Sequence, residues 1–101
     1  MKPTHGLRSA DYKVPSGKLL RIALTLDESS PPRITSLHLT GDFFMHPEEA
    51  IEELEARLVG CLWQEAPLRA RAQAFFDTEV EVIGADVDSI VHVILAARRD
   101  A

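Results

Sequence analysis

The sequence predicts an α+β domain, a small antiparallel sheet of two or three strands with about three helices on one face. Three observations lead there. Period-two apolar alternation fills the first half of the chain, three- and four-residue apolar spacing fills the second, and proline- or glycine-marked turns separate the segments. At 101 residues, of which 46% are hydrophobic and 27% charged, the chain suits one self-standing core and leaves no room for a two-domain enzyme. We therefore expect a flexible arm over residues 1–10 and a single domain over residues 11–101.

The arm is polar and without periodicity, so order is expected to begin near Asp11. Tyr12, Lys13 and Val14 can form a short strand, and Pro15, Ser16 and Gly17 supply a turn. Over residues 18–26, Leu20, Ile22, Leu24 and Leu26 fall on one side and Leu19, Arg21, Ala23 and Thr25 on the other, the alternation of a half-buried strand. The polar run DESSPP from Asp27 makes a loop. A second strand follows over residues 33–40, with Thr35, Leu37 and Leu39 on one face and Ile34, Ser36, His38 and Thr40 on the other. Gly41 ends it, and Asp42, Phe43, Phe44 and Met45 form a junction.

Pro47 suits a first helical position, and Glu48 and Glu49 complement the positive end of the helix dipole. A helix is predicted over residues 47–59, with Ile51, Leu54 and Leu58 as its stripe and Gly60 as its stop. A second helix is expected to open at Pro67, lining up Leu68, Ala72, Phe75 and Phe76. Residues 79–83 are ambiguous. Asp86 or Asp88 can cap a last helix striped by Val87, Ile90, Val91, Ile94 and Leu95, with Arg98 and Arg99 at its negative end.

Charge and composition exclude several function classes. Eleven Lys plus Arg against sixteen Asp plus Glu give a net charge of -5, opposite to what a nucleic-acid partner needs. No apolar run has the length of a membrane span, so no membrane partner and a cytoplasmic location are expected. The one cysteine, Cys61, cannot form an internal disulfide.

Candidate catalytic chemistry is sparse. His5, His38, His46 and His92 lie far apart with no metal-ligand spacing, so no metal site is expected. Asp42 and His46 could hold an ion across a turn, but helix capping explains them better. Cys61 follows a helix C-terminus, where the dipole disfavours a thiolate, and reads as inert packing. Gly17 and Lys18 lack the remaining glycines and the Ser or Thr of a phosphate loop. The glutamates between Glu48 and Glu55 read as a solvated helix face, and no catalytic residue is assigned to this chain alone.

Two segments resist a bland reading. Lys13, Gly17 and Lys18 place positive charge and backbone freedom in one hairpin, while Gly41, Asp42, Phe43 and Phe44 join the second strand to the first helix. Both lie at the ends of the same two strands. In an acidic chain such a hairpin can meet a carboxylate or phosphate held by another protein.

At these residues, KVPSGKLLRI from Lys13 and ITSLHLTGDFFMHPEEAIEELEARLVG from Ile34, the sequence resembles the C-terminal domain of bacterial lipoate-protein ligases. It is especially similar to the stand-alone accessory subunit of two-part ligases. The likeness covers about half of the chain, through the K-V-P-x-G-K-L hairpin and the T-G-D-F-F-x-x-P-E-E junction. It implies an α+β module related to the sulfur-transfer scaffold proteins, acting as a heterodimer with a separate catalytic subunit. That subunit would bind ATP, magnesium and lipoate or octanoate, form the acyl-adenylate, and pass the acyl group to a lysine of a lipoyl-domain acceptor. The resemblance also implies that Lys13, Gly17, Lys18, Gly41 and Asp42 meet the adenylation site or its subunit. Of Phe43 and Phe44, one is expected in the core and one at the interface. Two alternatives stay open: a sulfur-acceptor or iron-sulfur scaffold module, and a non-catalytic regulatory interaction domain.

Overall fold

The computed structural model of the chain describes residues 7–15 and 18–99. Among them the order is β1 (Leu7–Lys13), β2 (Leu19–Leu26), β3 (Ile34–Gly41), β4 (Phe44–His46), α1 (Ala50–Leu58), α2 (Glu65–Phe76), β5 (Glu81–Ile83), α3 (Val87–Leu95) and β6 (Arg98–Arg99). The α+β class is as expected; the sheet is larger. β3-β2-β1-β6 form one antiparallel sheet, and β4 and β5 pair in a separate ribbon.

The added strands have identifiable causes. β1 starts at Leu7, inside the expected arm, because residues 7–13 pair along β2 from Leu7↔Thr25 to Lys13↔Leu19. Residues 1–6 of that arm lie outside the described residues. Arg98 and Arg99, expected to close the last helix, pair instead with Ser9 and Arg8. β4 and β5 have three residues each, too few for alternation to declare a strand.

The central strand follows its pattern. Leu20, Ile22 and Leu24 are buried on one face of β2 and contact the helices, each contributing about 1.5–3 kcal/mol by leaving water. In β3 the expected faces are half right: Leu37 and Leu39 are buried, but Ile34 is buried and Thr35 exposed. A β-bulge explains it. Thr25 pairs with Ser36 and Leu26 with Ile34, so Thr35 is an extra residue and the side-chain phase flips. The Thr25 hydroxyl lies 2.6 Å from both the Thr35 and the Ser36 hydroxyls, which satisfies the polar groups at the bulge.

α1 begins at Ala50 because the preceding turn is tighter than an α-helix: Ala50 N–H donates to Pro47 O at 3.0 Å and Glu52 N–H to Glu49 O at 3.1 Å. Leu54 and Leu58 of its expected stripe are buried and Ile51 is half-buried. α2 begins two residues before Pro67, which a helix accepts there because N–H groups of the first turn have no intrahelical partner. α3 has Asp86 as its N-cap in a reciprocal box: Ser89 N–H donates to Asp86 Oδ1 at 2.7 Å and Asp86 N–H to Ser89 Oγ at 3.0 Å.

The loop after α1 closes one end of the sheet. Gly60 N–H donates to Ile34 O at 2.7 Å, Ile34 N–H to Cys61 O at 2.9 Å and Trp63 N–H to Pro32 O at 3.0 Å. Trp63 Nε1–H reaches Ile94 O at 3.0 Å, and the Arg8 guanidinium lies 5.0 Å from the centre of the indole. Leu39 N–H on β3 donates to Glu55 Oε2 of α1 at 2.9 Å.

Candidate functional site

The opposite end of the sheet gathers the two singled-out segments. Val14 N–H donates to Lys18 O at 2.8 Å, closing the β1–β2 hairpin with exposed Lys13 and Lys18 on its two arms. Gly17 lies outside the described residues. Gly41 pairs with Leu20, and Asp42 N–H donates to Leu19 O at 2.8 Å, one residue beyond Lys18. The hairpin and the junction therefore share adjacent rungs of the sheet.

This close approach requires glycine. Gly41 has φ +144°, and a Cβ there would lie 2.2 Å from the Leu19 carbonyl oxygen. A second glycine completes the arrangement. At Gly84, φ +95°, a Cβ would sit 2.8 Å from Asp42 O and 3.1 Å from Phe43 Cα, so the segment after β5 lies directly against the junction. Sequence reading missed Gly84; its place between the apolar Val82–Ile83 and the cap Asp86 was the available signal.

The two phenylalanines separate. Phe43 is half-buried against the core, whereas Phe44 is 73% exposed and pairs across the ribbon with Ile83, itself 58% exposed. Val14 and Pro15 of the hairpin face Gly84, Ala85, Asp86 and Ser89 across a cleft of about 340 Å³. A larger cleft, about 610 Å³, runs along α3 beside Tyr12 and His92, whose rings are 4.1 Å apart. On its wall Arg69 bonds both Asp88 and Glu65.

The other candidates take structural places. Cys61 is fully buried, and burial pushes its thiol up, away from thiolate chemistry. His38 is exposed with Nδ1 3.9 Å from Glu55 Oε2, and His46 pairs with Glu81 across the ribbon, while His5 lies outside the described residues. Among the described residues no group of three or more His, Cys, Asp or Glu is placed to hold a metal ion, and no helix is long and apolar enough to cross a membrane. Asp11 is held below the ordinary carboxylate range, first by its hydrogen bond with Arg21 at 2.8 Å, which leaves Lys13 on the same sheet face outside that pair.

Among the described residues, what the end of the sheet offers is two exposed lysines, a glycine-built turn and an exposed aromatic. No family model matches the sequence. Over 56 residues, the chain is 43% identical to "Lipoate-protein ligase A subunit 2" of Thermoplasma acidophilum, a match covering 55% of each, so the chain spans about half the length of the curated relative it matches. Its fold is similar to a chain in the solved structure of an archaeal lipoylation system, a bi-partite lipoate protein ligase and its E2 lipoyl domain from the same organism. The TM-score is 0.74 at 28% identity, over 87% of this chain and 93% of that one. In sequence and in fold alike, this chain resembles the accessory subunit of bipartite lipoate-protein ligases.

Proposed function

We propose that this chain is the accessory subunit of a bipartite lipoate-protein ligase, acting in the cytoplasm with a separate catalytic subunit. That subunit would bind ATP, magnesium and lipoate or octanoate. The acyl carboxylate attacks the α-phosphorus of ATP and pyrophosphate leaves; a lysine amine of a lipoyl domain then attacks the acyl carbonyl and AMP leaves. The part of this chain is the first step. Lys13 and Lys18 oppose the negative charge of the triphosphate or of acidic groups around it, and the Gly41–Asp42 turn fixes their position. Docking them excludes water and holds the nucleotide-binding loops in an adenylation-competent form.

The observation that carries this reading is the Asp42 N–H bond to Leu19 O at 2.8 Å, which locks the lysine hairpin to the glycine-aspartate junction. Both motifs of the resemblance become one surface. The solvent-inaccessible Cys61 speaks against a sulfur-acceptor module, because a persulfide-bearing thiol must be reached by its donor.

The test separates the two half-reactions. With the large subunit supplied, Lys18→Ala should slow acyl-adenylate formation by about tenfold or more while leaving transfer from preformed acyl-adenylate unchanged. Equal losses in both steps contradict the assignment. Tight binding with no effect of the lysine on either step instead supports a regulatory interaction domain.

A further inference from the structure

The β4–β5 ribbon breaks its own pattern. Met45 and Val82 point inward, while Phe44, His46, Glu81 and Ile83 point outward in two cross-strand pairs, Phe44↔Ile83 and His46↔Glu81. The second pair is what a solvated face calls for. The first puts two large apolar side chains, 73% and 58% exposed, directly opposite each other in water. Beside Phe44 runs a shallow groove of about 500 Å³ whose floor includes Leu39, Phe43 and Ile51 and whose rim includes Glu48. Asp42, Glu48 and Glu81 are exposed around this knob and groove, and none has a cation partner among the described residues.

We propose that Phe44 and Ile83 form the apolar anchor by which this chain docks on the large ligase subunit, in an apolar recess rimmed by Arg or Lys. This inference rests on the proposed function and specifies its interface. Charge selects the occupant: a second copy would set Asp42, Glu48 and Glu81 against their own equivalents, whereas a basic rim neutralises them. Continuity with the hairpin gives the anchor its use. Phe44 is two residues beyond Asp42, and Gly84, next to Ile83, packs on Asp42 and Phe43, so the anchor and the lysine hairpin share one continuous surface and docking the first brings up the second.

The experiment measures binding of the full chain to the large ligase subunit encoded in the same genome, by calorimetry, with acyl-adenylate formation assayed in parallel. Phe44→Asp and Ile83→Asp should each weaken binding about 30-fold or more, with both variants still folded at the assay temperature because both side chains are mostly exposed. Saturating variant should restore full adenylation, as expected of a group that anchors and does not act in the chemistry. Glu48→Lys and Glu81→Lys should slow association and flatten its salt dependence. Wild-type chain that neither binds nor stimulates the subunit contradicts the proposed function itself. Wild-type chain that binds, with Phe44→Asp and Ile83→Asp binding equally well, overturns the anchor and leaves that function standing. Wild-type self-association abolished by Phe44→Asp, without change in binding to the large subunit, assigns the pair to a homodimer and likewise overturns it.

Discussion

The two ends of the main sheet use the same kinds of side chain for opposite purposes. At the Trp63 end, the indole N–H donates to Ile94 O, Arg8 lies over the ring, and Arg33 Nη1 donates to Gly60 O at 3.0 Å. Aromatic and cationic groups there bond or stack back onto the fold and close it. At the hairpin end, Lys13 and Lys18 are exposed and Phe44 stands largely in water, while backbone bonds and close glycine contacts join the segments and Val14, Phe43 and Met45 pack on the core. An end joined through its backbone leaves Lys13, Lys18 and Phe44 for a partner. Side-chain substitutions should therefore dissociate, with stability suffering at the Trp63 end and partner-dependent activity at the hairpin end, whereas a change to the hairpin end's backbone should cost both.

The largest expected effect on stability lies in the backbone of the hairpin end. Gly41→Ala puts a carbon where the Leu19 oxygen already is, and we expect a loss of about 3–4 kcal/mol in urea unfolding, with adenylation support lost as well. Trp63→Ala should cost about 2–3 kcal/mol, less than a fully buried tryptophan because this one is half-buried. Well below its melting temperature it should support adenylation like the wild type, and a specific loss of activity there would break the contrast between the ends.

Thr25→Val removes the hydroxyl shared by Thr35 and Ser36 at the bulge and should cost about 1 kcal/mol, with no effect on partner binding. A pH dependence marks the loop at the Trp63 end. The Asp27 carboxyl is held below its ordinary range, first by the Arg33 backbone N–H at 2.9 Å and then by Ser29. Its contribution is complete above the unfolded value of about 3.9 and is lost as pH falls from there through the lowered folded value. Asp27→Asn should flatten the acid limb of the stability curve, and an unchanged limb would show that the loop does not discriminate the ionised form. Smallest of all, Phe44→Ala should move stability by no more than about 0.5 kcal/mol, since the ring is largely in water.

Much of this was legible in the residues. The eight-residue alternation of β2, the apolar stripes of the three helices and an aspartate cap on the last one are local signals strong enough to survive packing, although only the structure chooses Asp86 over Asp88 as that cap. The face of Ile34 was not legible, because a bulge that adds one residue leaves no mark in a short alternating run. Nor were β4, β5 and β6, whose pairing is decided by partners far away in the chain. The hairpin and the junction were recognisable as motifs, and their meeting at the sheet end followed once two antiparallel strands were expected. What escaped was the third contributor, Gly84, and the outward face of Ile83. Both depend on a ribbon that sequence periodicity did not announce, and so did the assignment of Phe43 to the core and Phe44 to the surface.

The most direct test is single-turnover formation of acyl-adenylate from ATP and lipoate by the large ligase subunit, with and without this chain at saturation. Adenylate formation that is slow or absent alone and rises about tenfold or more on addition of the chain is the predicted result. Equal rates in both conditions would contradict it.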